Sequence, residues 1–262
     1  MKRLTILITM LMATSSWAYN DSDFLKFKAT NSCENCDLSE ISMLGDRNIF
    51  DLGFGARLSR AKLSKANLTN ADLNRANLDY ANLTNANLTN INLSDASLIE
   101  VNFEGANLSE ANLRDTDLNK SNLSSANLFN VALLSADLSY TNFTNANLQE
   151  ANLALSVSTF TNFYNANLSN SWLRGVNFGR ANFSRANLKN ADLRGARLFA
   201  ADFSDADLTD ADLTEANLDG ANLNNTNLTN TDLTTSGLNG TFLDGAIYCN
   251  TTMPWGVLND GC

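Results

Sequence analysis

Ala66-Asn67-Leu68-Thr69-Asn70, Ala106-Asn107-Leu108-Ser109-Glu110 and Ala211-Asp212-Leu213-Thr214-Glu215 share one register, and so does everything between Ala56 and Leu243. A large apolar residue occupies every fifth position from Leu58 to Leu243, 38 positions in all. Thirty-one are Leu and six are Phe (Phe103, Phe143, Phe163, Phe178, Phe183, Phe203); the exception is Ser158. Two positions earlier the residue is small, mostly Ala, with Ile91 the largest. The residue between the two is Asn or Asp in 29 of the 38 pentapeptides.

This spacing excludes an amphipathic helix. Five residues of α-helix turn the chain by about 500°, a net 140°, so the Leu residues would smear around the cylinder. In extended chain, residues two apart point to the same side, which places Ala and Leu together. The next Ala lies an odd step further on and returns to the inside only if the backbone turns a corner. Each pentapeptide is therefore a short extended piece plus a bend, and a closed coil that stacks on the next needs a whole number of such sides. Stacked coils pair their backbones at about 4.8 Å, as strands do. Ala leaves room for Leu or Phe inside, by packing alone. Asn, Asp, Ser and Thr face outward at the bends as interchangeable, solvated positions that bond to nearby backbone. The single Pro, Pro254, lies beyond the repeats, where it removes no ladder donor.

The pattern resembles the pentapeptide repeat family, A-(D/N)-L-X-X, over residues 36 to 246. The resemblance implies an all-β fold, a right-handed quadrilateral parallel β-helix with N- and C-terminal caps. Nine or so coils make a rod roughly 45 Å long. Thr30-Asn31-Ser32-Cys33 with Cys36-Asp37-Leu38, and the ending Tyr248 to Pro254, also look like exported members of the family.

The first 18 residues read as a secretory signal. Lys2 and Arg3 are basic, Leu4 to Met12 is an apolar run too short to span a bilayer, and Ser16-Trp17-Ala18 offers a cleavage site. Cleavage after Ala18 gives an exported chain, periplasmic or secreted, that starts at Tyr19. Domains follow: signal 1–18, cap and irregular first coil 19–55, repeats 56–246, and a disulfide-closed cap 247–262. In the first cap, Asp21 and Ser22 cap a short helix over Phe24, Leu25 and Phe27, or Phe24 to Lys28 form a strand. The pattern lapses from Gly45 to Gly55.

Cys33-x-x-Cys36 could suggest redox chemistry or half a zinc site. No βαβ unit, second nearby Cys pair or His supports either reading. A local Cys33–Cys36 disulfide and a Cys249–Cys262 disulfide are the expectation for an exported chain.

The chain carries 18 basic and 28 acidic residues, net −10; losing Lys2 and Arg3 makes it −12. An acidic surface argues against binding nucleic acid or anionic membrane. No segment after the signal is apolar enough to span a membrane. Arg174, Arg180, Arg185, Lys189, Arg194 and Arg197 form a basic belt, followed at once by Asp202, Asp205, Asp207, Asp210, Asp212, Glu215 and Asp219. Successive pentapeptides lie on different sides, so these are rings.

Departures from the pattern are where function is to be sought. Around Leu155 to Phe160, Val157 replaces the outward Asn and Ser158 underfills the core, the signature of a drifted repeat with a bulge. Large apolar residues at outward positions are Tyr80, Ile99, Phe129, Leu134, Tyr140, Phe160, Tyr164, Trp172 and Phe199. Tyr140 and Phe160, twenty apart, should stack. Together with Phe199 and Trp172 they are candidates for a partner surface or a homodimer seam.

No catalytic, cofactor or metal-binding residue is assigned. There is no His, no nucleophile in a recognisable setting, and the carboxylates point outward from a convex rod. The reading is an exported, non-catalytic, rigid acidic scaffold or protein-binding surface for an unknown protein partner. Two alternatives accompany it. Some family members are DNA mimics that bind a type II topoisomerase, to which the signal is opposed; a secreted effector acting on a host or competitor is the other.

Overall fold

The computed structural model describes residues 20–41, 55–260 and 262. The signal segment, most of the Gly45–Gly55 lapse and the start of the first cap at Tyr19 lie outside the described residues. Helix α1 (Asp21–Thr30) comes first; the coils follow, and β1 (Thr251–Met253) and β2 (Gly256–Leu258) end the described chain.

The coils are held by parallel bridges between residues twenty apart, from Arg57↔Asn77 to Asp232↔Thr252. This is a parallel β-helix with four pentapeptides per turn. The first step is longer: Ser32 pairs with Arg57 and Asp37 with Lys62, twenty-five residues apart. One pentapeptide shows how the ladder is built. The Leu58 N–H donates to the Asn77 carbonyl (2.7 Å), the Arg60 N–H to the Asp79 carbonyl (2.8 Å) and the Asn77 N–H back to the Ala56 carbonyl (2.8 Å). The corner closes with the Ala61 N–H on the Leu58 carbonyl (3.0 Å). Arg60 there has φ 58°, and the same left-handed residue recurs at nearly every fifth position. Positive φ at only the third corner residue is the type II turn pattern. Asn and Gly occupy it at least cost, which explains their frequency there.

The buried Ala and Leu positions form a continuous core, with Leu108, Leu148 and Leu188 fully enclosed. Each buried Leu contributes roughly 1.5–3 kcal/mol. Phe143, Phe163, Phe183 and Phe203 stack up one column at centroid spacings of 5.0, 4.7 and 4.8 Å. Where Thr replaces the inner Ala, its hydroxyl is satisfied. Thr141 Oγ1 donates to the Leu118 carbonyl at 2.8 Å, the corner carbonyl of the coil before, and Thr161 Oγ1 does the same to Leu138 at 2.7 Å.

The expected bulge at Ser158 is absent. Val157 stays in register with Asp137 and Asn177, and its neighbours keep their ladder bonds. Ser158 is fully buried, and its Oγ donates to Thr161 Oγ1 at 2.7 Å. Its N–H keeps the ladder bond to the Asn177 carbonyl at 2.9 Å, and Phe178, one coil further in the same column, tilts against Phe163 and Phe183.

The first segment is a helix, capped by Asn20 rather than by Asp21 or Ser22. Asn20 Oδ1 accepts the Ser22 N–H at 2.9 Å, and Asn31 ends the helix in the left-handed conformation. Phe27 enters the core while Leu25 stays 65% exposed. At the other end, β1 and β2 pair antiparallel, with Thr251 and Met253 buried. Trp255 is exposed, and Leu238, Leu243 and Ala246 of the last coil are only partly covered. The tail therefore covers less of the terminal coil than its sequence suggests. Cys33 is joined to Cys36 (Cα–Cα 5.3 Å) and Cys249 to Cys262 (5.0 Å).

Candidate functional site

A twenty-residue coil gives the outward Asn position four columns. The first face runs through residues 62, 82 and onward to 242; the second through 67 to 247; the third through 72 to 252; the fourth through 57 to 237. On the first and second faces the Asn side chains are not interchangeable solvated groups. Each Oδ1 accepts the N–H two residues on, as Asn147 does from Gln149 (3.3 Å). On the second face the Nδ2 of the middle coils also reaches the Oδ1 one coil before: Asn127 to Asn107 (3.0 Å), Asn147 to Asn127 (3.0 Å), Asn167 to Asn147 (3.3 Å) and Asn187 to Asn167 (3.1 Å). The first face has the same ladder from Asn122 to Asn182. An amide donates through Nδ2 while it accepts through Oδ1, so Asn extends the ladder where an ionised Asp, which only accepts, would stop it.

The third face has this ladder only at its start, from Asn92 to Asp72 (2.8 Å) and from Asn112 to Asn92 (3.0 Å), and the third and fourth faces hold most of the departures from Asn or Asp. Between Arg57 and Phe242 the outward position departs from Asn or Asp nine times: Arg57, Lys62, Ser97, Ala132, Val157, Trp172, Arg197, Gly237 and Phe242. Seven of the nine, all but Lys62 and Phe242, fall on the third and fourth faces by the bridge register. The second face has none in that range. This asymmetry was available in the sequence by sorting the exceptions by position within a twenty-residue period.

The corner between the fourth and first faces carries an aromatic and cationic stripe. Arg60 lies over the Tyr80 ring (5.4 Å). Tyr140 and Phe160 stack with centroids 5.3 Å apart and planes 7° apart, and Arg180 covers Phe160 at 5.5 Å. Phe199 lies against Gly179, where an added Cβ would sit 2.1 Å from the ring. Tyr140, Phe160 and Phe199 thus share one corner; Trp172, 54% exposed, stands apart on the third face. Tyr164 is elsewhere, bound through its hydroxyl to Arg185 Nη1 (3.1 Å).

Leu155 and Val157 complete a surface for which the sequence reading had only a break. Both are exposed, Leu155 at the corner between the third and fourth faces and Val157 mid-face. Beside them a groove of about 680 Å³ runs up that corner, with Leu155 at one end, Glu215 at the other, Gly175 and Gly195 as floor, and Arg174 and Arg194 alongside. The two glycines open it, since a Cβ at Gly195 would meet nothing within 4 Å. The buried Ser156 Oγ, Ser171 Oγ and Asn177 Oδ1, with no hydrogen-bond partner among the described residues, lie on the same two sides.

Charge is asymmetric in the same sense. The basic belt pairs along the axis with the acidic coil: Arg185 with Asp205 (3.8 Å), Lys189 with Asp207 (3.0 Å) and Arg194 with Asp212 (3.5 Å). Arg194 also grips Asp192 with two bonds, Nε to Oδ1 at 2.7 Å and Nη2 to Oδ2 at 2.5 Å. The guanidinium bonds hold the Asp192 carboxyl below the ordinary carboxylate range, against the opposing effect of burial. For Asp207, burial pushes up, but the Thr209 and Lys189 bonds outweigh it and its pKa is also lowered. Arg174, Arg180 and Arg197, around the groove and the fourth face, have no ion pair among the described residues. Among the described residues, no cluster of acidic or Cys side chains is arranged to hold a metal ion, and no helix is long and apolar enough to cross a membrane.

A family model for pentapeptide repeats (8 copies) matches residues 56–95, 96–133, 126–156, 161–198 and 201–240. The chain belongs to the pentapeptide repeat family. Among solved structures it is similar to HetL, a pentapeptide repeat protein involved in heterocyst differentiation regulation from the cyanobacterium Nostoc sp. strain PCC 7120. Identity is 27% over 91% of this chain and 99% of that one, with a TM-score of 0.45. It is similar to a trypsin-treated form of QnrB1, a plasmid-mediated fluoroquinolone resistance protein, at 20% identity over 81% and 92% of the two chains, TM-score 0.46. A thylakoid-lumen pentapeptide repeat protein from Arabidopsis thaliana is 30% identical over 44% of this chain and 66% of its own, TM-score 0.19. No curated protein matches the chain.

Proposed function

We propose that this pentapeptide repeat protein is an exported, non-catalytic scaffold that holds a protein partner on its third and fourth faces. Its β-helix is right-handed, as the family resemblance implies, with α1 and the disulfide-bound hairpin as caps. The observation that carries the reading is the division of the exterior. Over their middle coils, residues 102–187, two faces carry amide ladders whose side chains are already bonded to one another. The other two expose apolar groups, unpaired arginines and a groove. Exposed apolar patches of this kind on a polar protein are the usual mark of association.

Export is supported by the Lys2–Ala18 signal pattern and by two disulfides, which persist in oxidising compartments. The acidic coil supports a DNA mimic poorly. A mimic needs like charge along the rod, whereas these carboxylates ring one coil and several are neutralised by the belt below.

Two measurements test the proposal. Cell fractionation with N-terminal sequencing should find the protein outside the cytoplasm, beginning at Tyr19; a cytoplasmic chain retaining Met1 to Ala18 contradicts export. A photo-crosslinking residue at Phe160 should yield a protein adduct in cells, and one at Asn147, on the second face, should not. Absence of adducts from both positions contradicts protein binding.

A further inference from the structure

We propose that the corner groove and the adjoining fourth face dock a segment of another protein that is both acidic and apolar. The inference rests on the protein-binding reading above and adds the chemistry of the partner.

Three independent observations converge on this surface. The first is conformational. Tyr140, Leu155 and Phe160 occupy the left-handed corner position, with φ 60°, 61° and 59°. A side chain with a Cβ is disfavoured there by roughly 1–2 kcal/mol; other corners carry Asn, Gly, small polar or long charged residues such as Lys65 and Glu110, and large uncharged side chains occur only at Tyr80, Tyr140, Leu155 and Phe160. Leu155 is also 64% exposed, so burial does not offset that cost. Neither folding nor solubility accounts for its presence; contact with a partner does.

The second is shape. Two successive glycine corners, Gly175 and Gly195, leave a channel next to Leu155. The coil sides themselves are saturated by ladder bonds to the coils above and below. A partner therefore docks through side chains laid into the groove and not by adding a strand.

The third is charge. On three sides the basic belt is neutralised by acidic residues one coil further on. On the fourth side Arg197 faces Asn217 one coil on, the carboxylate of that coil, Asp219, accepts the Asn239 N–H instead, and Arg174, Arg180 and Arg197 are exposed without an ion pair among the described residues. A net −10 protein thus keeps one cationic, apolar strip. That strip disfavours a second copy of this chain, since a two-fold contact would press the same arginines against each other. It favours a segment with carboxylates for Arg174 and Arg180 and leucine or aromatic side chains for Leu155 and Phe160.

Trp172 reports on this surface. In mature protein carrying Trp255→Phe it is the sole tryptophan, because Trp17 belongs to the signal. The probes are a short peptide of glutamate, leucine and phenylalanine, the same peptide with lysine for glutamate, and a glutamate–alanine peptide. The first should shift Trp172 emission saturably and more weakly at high salt; the other two should not. The double variant Arg174→Glu/Arg180→Glu, and separately Leu155→Asn/Phe160→Asn, should each loosen binding roughly tenfold or more with an unchanged circular dichroism spectrum. No shift with the acidic apolar peptide, an equal shift with the lysine peptide, or unaltered affinity in both variants overturns the inference. So does sedimentation showing a dimer that Leu155→Asn/Phe160→Asn dissociates, which would make the strip a self-interface. Crosslinks from position 160 combined with no peptide binding would remove only the partner chemistry; no crosslink from either face would remove the protein-binding reading itself.

Discussion

A single corner residue shows where this protein departs from the needs of its own fold. Leu155 sits at φ 61°, largely exposed, at a position that Asn fills in many other coils. Leu155→Asn should therefore raise stability, by about 0.5–1 kcal/mol, because Asn tolerates the left-handed region that Leu resists. Urea unfolding of both forms checks this; a loss of 1 kcal/mol or more would mean that Leu155 makes packing contacts that matter to the fold. Gly179 is the converse case. A Cβ there collides with the Phe199 ring, so Gly179→Ala should expel that ring and increase its solvent exposure, with little effect on the buried Leu column.

At the scale of the coil, the sequence was legible because one requirement repeats. Ala and Leu two apart, with a corner every five residues, set the apolar side chains inside a stacked coil; the four-sided section was implied by the family resemblance, and the bridges run between residues twenty apart. The ladders were harder to see. Asn and Asp look alike in a consensus, yet only Asn can pass a hydrogen bond along the rod, as Asn147 does between Asn127 and Asn167. Asn147→Ala should cost about 1–2 kcal/mol in urea unfolding, since it breaks the ladder in both directions and frees the Gln149 N–H. Asn147→Asp should retain the Gln149 bond and lose the donation to Asn127. Ser158 misled for a related reason. Periodicity weighs each position alone, whereas in the fold Ser158 keeps its ladder bond to the Asn177 carbonyl and satisfies its hydroxyl on Thr161 Oγ1, so the coil stays in register without a bulge.

Over the whole molecule, acidity acts through carboxylates that are bonded in the folded state. Asp37 is held below its usual pKa, chiefly by Ser39, Asp192 by Arg194, and Asp207 by Thr209 and Lys189 against burial. A folded pKa below the unfolded value of about 3.9 stabilises the fold fully above that pH, and the gain is lost as pH falls through the folded pKa. Stability from these groups should be flat from neutrality to about pH 5 and decline below about pH 4. Asp192→Asn should be less stable than the wild type at neutral pH and converge with it in acid; a gap that widens in acid would contradict the assignment. The third and fourth faces were the least legible part of the sequence, because residues 132, 157, 172 and 197 look scattered until the twenty-residue coil sets them on neighbouring columns. Hydroxyl-radical footprinting of the protein, with and without the acidic apolar peptide, examines those columns directly. Tyr140, Leu155, Phe160 and Trp172 should be protected together while Tyr164 and Trp255 react as before. Protection of Tyr164 or Trp255 instead, or no change at the four, would contradict the assignment of binding to these two faces.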